Sequence, residues 1–336
     1  MKRILTVLTG GTIGSENRNG IIIPQNGSGI RCLELYRKKY GADTDFHCIQ
    51  PVNILSENLN IKIMETVVNS ILNTDLSLYD GVIITHGSDT LSYSSSMLSM
   101  CLCHLEIPVI ITAANRVPDD ERSNALDNIR AAVCLINEFK KGVFTVYKNE
   151  QDDHTTVYLP TRITEADRFC DSFSSFDKKV FGIIKNDSFK KISDIMLTDI
   201  YRKRQPVFDN RLSLDNNVVM IFPYPSLDYN SLTIDPSVKA VVHVTYHSST
   251  VKTDGENSAL SLLKKCLERN INMYLCSFKK GQDSVYNSLT PILNSGAKPL
   301  FDISNESAYC KLLLGVNTDN NTDELMNKNI YFEICR

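Results

Sequence analysis

Short β-branched runs that alternate with stretches of helical periodicity limit this chain to an α/β sheet protein. Residues 4–8 form such a run and enter Gly10-Gly11, and 81–85, 108–112 and 143–147 repeat the pattern. Uninterrupted apolar residues of this length suit strands buried on both faces, as in a parallel sheet. Between them, 59–72 reads as an amphipathic helix with Leu59, Ile63, Val67 and Ile71 spaced by four. Segments 91–105 and 124–139 read as helices too. The alternation predicts a doubly wound, mostly parallel sheet covered on both faces. From 185 to 217 the chain turns rich in Lys, Arg, Asp and Asn and carries the breaker Lys203-Arg204-Gln205-Pro206, so it reads as a connector. Alternation resumes at 218–222, 260–269, 273–276 and 308–314. A length of 336 residues suits two domains. The expected division is a larger N-terminal domain over 1–200, a linker over 201–216 and a smaller C-terminal α/β domain over 217–336.

Composition removes several function classes. A hydrophobic share of 42% and a charged share of 22% belong to an ordinary globular protein. Lys and Arg number 36 against 39 Asp and Glu, so no basic field invites nucleic acid or an anionic membrane. No apolar stretch approaches the roughly 18–20 residues that span a bilayer. The first apolar run stops at Leu8, too short for the core of a secretory signal, which points to the cytoplasm. Ten cysteines occur without a CxxC pair, and Cys101, Cys103 and Cys134 sit in apolar helix-like stretches. They read as reduced thiols, mostly buried.

Two strand ends carry unusual polar clusters. In Thr9-Gly10-Gly11-Thr12-Ile13-Gly14, glycines let the backbone turn tightly and Thr12 offers a hydroxyl. The spacing is not that of a dinucleotide-binding loop, and a plain tight turn remains an alternative. In Thr85-His86-Gly87-Ser88-Asp89-Thr90, Ser88 or Asp89 also suits the N-cap of the following helix. A triad of Ser88, His86 and Asp89 is disfavoured, because such groups normally converge from separate elements. His47, His104 and His154 are scattered, and His243 and His247 straddle a strand end without a third ligand, so no metal site is expected. Residues 151–154 read as a solvated loop.

Together the two clusters resemble the signature motifs of the L-asparaginase/glutaminase family. Val52-Asn53-Ile54-Leu55-Ser56-Glu57-Asn58-Leu59-Asn60 is similar to the family's segment for the substrate α-carboxylate, with Ser56 in the binding position, and 107–116 to the strand and loop after the second motif. Ser295-Gly296-Ala297 and the 306–314 helix fit the carboxyl-terminal domain less specifically. The resemblance spans nearly the whole chain and is nearest to the cytosolic, type I branch. It implies an asparaginase-like catalytic domain followed by a smaller partner domain.

The resemblance implies hydrolysis of a side-chain carboxamide through a threonine acyl-enzyme, with no cofactor and no metal. Thr12 would be the nucleophile and Ser88 would replace the family's second threonine. Asp89 would be the acidic partner that also holds the substrate amine. Gly11, Ser56, Glu57, Gly87 and Ala113 would line the substrate, a small amide or amino acid. A homodimer or homotetramer is implied, with Asp283 and Tyr286 lying where members of the fold reach across a subunit interface toward a neighbouring site. Two positions depart from the pattern. The lid stretch Gly20-Ile21-Ile22-Ile23-Pro24 has no tyrosine, and Glu165 stands where the family has its catalytic lysine, with no lysine between Lys148 and Lys178. A carboxylate beside Asp89 raises the pKa of both unless Arg162 or Arg168 compensates. Glu165 is then a base for an altered, cationic or larger amide, or the structural partner of an arginine, or the mark of a site turned over to binding or assembly.

Overall fold

The computed structural model describes residues 1–24, 27–281 and 286–335. The chain divides into two compact units, Met1–Leu212 and Ser213–Arg336. In the first, β1 (Lys2–Leu8) leads through a 3-10 turn (Thr12–Gly14) to the hairpin β2 (Ser15–Arg18) and β3 (Ile21–Pro24). Then come α1 (Ser28–Tyr40), β4 (Thr44–Ile49), a 3-10 turn (Ser56–Asn58), α2 (Ile61–Leu72), β5 (Gly81–Thr85) and α3 (Leu91–Leu102). The remainder is β6 (Pro108–Thr112), α4 (Ala125–Glu138), β7 (Gly142–Tyr147), β8 (Thr155–Tyr158), β9 (Gly182–Lys185), β10 (Ser188–Lys191) and α5 (Leu197–Ile200).

Eight strands form one sheet in the order β10-β9-β8-β7-β6-β5-β1-β4, parallel from β4 to β7 and antiparallel beyond. Every residue of β5, β6 and β7 is buried, which explains their uninterrupted apolar sequences. Helix α1 packs on α4, and α2 on α3. The successive crossovers through α3 and α4 thus lie on opposite faces although both advance the same way along the sheet. One of them has the rarer left hand. The helix expected over 59–72 begins at Ile61, because the Asn60 side chain accepts the Ile63 N–H at 3.1 Å and sets the first turn there.

The stretch expected as a connector from 185 is corrected by the fold. It supplies β10 and α5, and its Leu212 is buried, with the backbone paired to both ends of the Asn69 amide. Lys190 and Lys191 reflect an edge strand, where charge blocks further pairing. Phe189 of that strand packs on Phe139 and Phe181.

The second unit has a four-stranded parallel sheet in sequential order: β11 (Val218–Ile221), β12 (Ala240–Val244), β13 (Asn272–Phe278) and β14 (Lys298–Phe301). Its helices are α6 (Ala259–Leu267), α7 (Thr290–Asn294), α8 (Asn305–Asn317) and α9 (Thr322–Asn327). A wholly buried ion pair, Lys311 Nζ to Glu333 Oε1 at 2.8 Å, fastens the final segment to α8. Glu333 also accepts the Ile330 and Tyr331 N–H groups, and Lys311 donates to the Met326 and Lys328 carbonyls. All ten cysteines are free thiols. Among the described residues, no helix is long and apolar enough to cross a membrane. Asp283 lies outside the described residues.

Candidate active site

The strand order fixes where a crevice can form. From β1 the chain moves to β4 on one side, then returns to β5 on the other. The reversal leaves an opening outside the carboxyl ends of β1 and β5, the position that open α/β sheets use for ligands. Leu8 and Thr85 are register partners, so both strands end at one level. Thr9 Oγ1 donates to the Thr85 carbonyl at 2.8 Å, joining the two loops at their base. Gly10 pairs with Ile54, and the Gly11 N–H donates to the Ile54 carbonyl at 2.7 Å. The segment 52–58 is thereby drawn to the same place.

Here glycine is required by space. A Cβ on Gly11, whose φ is 67°, would lie 2.4 Å from the Gly87 Cα and N. A Cβ on Gly87 would lie 2.5 Å from the Ser56 Cβ and Oγ. Gly11 and Gly87 therefore meet backbone to backbone, and Gly87 lies against the Ser56 side chain. Thr12, half-buried, begins the 3-10 turn directly after Gly11, and the Ser15 hydroxyl donates to the Gly11 carbonyl at 2.7 Å. Buried Ser56 donates to Asp89 Oδ2 at 2.8 Å, and the Thr90 hydroxyl donates to the Ser56 carbonyl at 3.0 Å. Thr90, not Ser88 or Asp89, occupies the N-cap position of α3. Ser88 and Asp89 are thus not consumed by capping side-chain bonds. Glu57 is exposed on the neighbouring turn.

His86 bonds through both ring nitrogens to groups other than Ser88. It is buried, with Nδ1 2.9 Å from the Gly87 carbonyl and Nε2 2.9 Å from the Ser94 hydroxyl. A ring nitrogen facing a carbonyl must carry the proton, so in the neutral ring Nε2 accepts from Ser94. Burial holds its pKa below the usual 6.5. His243 in the second unit is built alike, with Nδ1 on the Val244 carbonyl, Nε2 on the Tyr229 hydroxyl and a pKa lowered by burial. Unfolding frees both rings to take up a proton, so their stabilisation is complete above pH 6.5 and is lost as pH falls below it. The limit is about 1.4 kcal/mol per pH unit for each ring. Urea unfolding at pH 7.5 and 5.5 should reveal the loss, and His243→Gln should reduce it. An unchanged slope in that variant would contradict the assignment.

An asparagine network holds the other wall. Asn128 donates to the Ala113 carbonyl at 2.9 Å and accepts the Lys148 N–H at 2.8 Å. Asn115 and Asn124 exchange backbone and side-chain bonds at 3.0 and 3.1 Å. Ala113 is therefore fixed and fully buried at the end of β6, with Arg116 just beyond. A cleft of about 560 Å³ opens there, lined by Ser88, Asp89, Arg116, Glu150, Glu165, Asp171 and the loop 166–170. Glu165 thus lies in one cleft with Ser88 and Asp89. The nearly buried Arg162 guanidinium binds Asp177 at 2.6 Å. Arg168 does line the cleft. The Asp171 carboxyl is held above its ordinary range by burial and then by Glu150, with Arg116 opposing and Asp89 adding.

The family model described as "Asparaginase, N-terminal" matches residues 3–195. This chain belongs to the asparaginase family. It is 26% identical to a glutamyl-tRNA(Gln) amidotransferase subunit from Methanococcus maripaludis, over 99% of this chain and 81% of that one. To an L-asparaginase of Thermococcus kodakarensis it is 25% identical, over 99% of each chain. The solved thermostable L-asparaginase of Thermococcus kodakarensis superposes with a TM-score of 0.81 at 23% identity, covering 99% of both chains. In this asparaginase-family chain the cleft residues Glu150 and Asp171 escape a reading by motif. Each sits on a loop of ordinary polar composition, and only the fold joins them. His86 had a signal, its place in the motif, but its partner is Ser94 on the next helix.

Proposed function

We propose that this asparaginase-family protein is an amidohydrolase that cleaves a side-chain carboxamide through an ester on Thr12. The carrying observation is the backbone contact of Gly11 with Gly87, which sets the Thr12 turn against the loop bearing Ser88 and Asp89. In this reading the Thr12 hydroxyl attacks the amide carbon, its proton passes to a nearby base and from there to the amide nitrogen, and the C–N bond breaks to release ammonia. Water then attacks the ester and restores the hydroxyl. Ser88 supplies the second hydroxyl of the site. Asp89, held by Ser56, receives the substrate amine, and backbone N–H groups near Ser88 and Ala113 meet the developing oxyanion. Glu165 replaces the family lysine as a proton acceptor, which suits an amide other than ordinary asparagine. No cofactor enters this chemistry. We place the protein in the cytoplasm as a homodimer or homotetramer.

One observation favours a second reading, a catalytically degenerate binding or partner protein. The lysine nearest the cleft in sequence, Lys148, is tied to Asp127 at 2.6 Å, and no other follows before Lys178. Ammonia release over asparagine, glutamine and related amides decides between them. The wild type should turn over at least one amide, and Thr12→Ala should lower that rate at least about 1,000-fold. Equal rates, or no turnover by the wild type, would remove the acyl-enzyme reading.

A further inference from the structure

We infer that His86 is a positioning residue that aims the Ser88 N–H at the oxyanion formed on the scissile amide, an inference resting on the Thr12 acyl-enzyme reading. The imidazole acts only through the backbone. Its Nδ1–H donates to the Gly87 carbonyl at 2.9 Å, and the Ser94 hydroxyl donates to Nε2 at 2.9 Å, which fixes that tautomer. The His86 N–H donates to the Thr112 carbonyl at 2.8 Å, so the residue is anchored to the end of β6 as well as to α3. In a planar trans peptide the carbonyl and the next N–H point opposite ways. Drawing the Gly87 carbonyl toward the buried ring therefore turns the Ser88 N–H away from it. Gly87 also lies against Gly11, so the peptide that His86 orients borders the turn of Thr12. Among the described residues, no group accepts the Ser88 N–H.

The second unit holds the same arrangement with a different outcome. His243 Nδ1 lies 2.7 Å from the Val244 carbonyl and Nε2 3.0 Å from the Tyr229 hydroxyl. There the next N–H, that of Thr245, donates to the Cys276 carbonyl at 2.6 Å and continues the pairing of β12 with β13. One donor is engaged by the fold, and the other is left for a ligand. An N–H whose direction is already set needs no reorganisation when negative charge develops on the carbonyl oxygen. The ring itself takes no proton from the reaction, because both nitrogens are bonded and burial disfavours its charged form.

The test is steady-state ammonia release across pH by the full-length wild type and its variants, on an amide that the wild type hydrolyses. The side-chain nitrogen of Asn can stand where Nδ1 does, and that of Gln where Nε2 does. His86→Gln should lower kcat about 100-fold, the effect of losing one oxyanion donor, with KM changed less than about threefold. His86→Asn should keep kcat within about fivefold of the wild type, with an unshifted pH profile. His243→Gln should keep the wild-type rate. Selective 15N-histidine NMR of the wild type checks the tautomer whether or not the variants fold, and His86 should carry its proton on Nδ1. A proton on Nε2, a His86→Asn variant as slow as His86→Gln, a shifted acid limb in His86→Asn, or an equal loss of kcat in His243→Gln would overturn the inference. No ammonia from the wild type, or Thr12→Ala as active as the wild type, sinks the acyl-enzyme reading and the inference with it. Normal turnover by His86→Gln beside an inactive Thr12→Ala sinks the positioning role alone.

Discussion

Gly11→Ala is expected to lower ammonia release at least about 100-fold, the penalty associated with displacing a reacting group by about 1 Å. The new methyl would lie 2.4 Å from two Gly87 backbone atoms and 2.8 Å from the His86 carbonyl carbon. All three are main chain, so no rotamer change relieves the clash, and the Thr12 turn must separate from the Ser88 loop. The left-handed φ adds strain of about 1–3 kcal/mol. Gly255→Ala is the control, since Gly255 also has a positive φ (76°) but nothing within 4 Å of its added methyl. It should lose a little stability and keep its rate. A normal rate in Gly11→Ala would mean that contact between the two loops is unnecessary.

Lys311→Met should destabilise the chain by about 3–5 kcal/mol, because it leaves the Glu333 carboxylate buried without its cation. Both side chains are wholly buried, and burial already lowers the Lys311 pKa. Combining Lys311→Met with Glu333→Leu should recover part of the loss. Full recovery is not expected, since the Ile330 and Tyr331 N–H groups, which donate to Glu333 at 2.7 Å, would lose their acceptor. Chemical unfolding of the three variants measures this directly. A single variant as stable as the wild type would show that the final segment is held by other contacts.

The central strands are legible in the sequence because burial on both faces leaves an unbroken apolar record, as in β5 and β6. Strand β4 is not, since it lies at the sheet edge and mixes Asp45 and His47 with Phe46. Strand β10 reads as part of a connector because its edge lysines look like linker composition. In the site, the glycines and hydroxyls of the two motifs are readable, since close backbone approach leaves few residue choices. Glu165 can be singled out only through the family resemblance. The carboxylates of Glu150 and Asp171 escape the sequence, because their loops are far from Asp89 along the chain and meet it only in the folded cleft.

The proposed hydrolysis turns on Thr12 becoming acylated. An amide that the wild type hydrolyses, mixed with enzyme and quenched in acid during turnover, should leave an ester on the peptide containing Thr12. Mass spectrometry should find that adduct labile to hydroxylamine and absent from Thr12→Ala. An adduct on Ser88, or steady ammonia release with no adduct at Thr12, would contradict the mechanism.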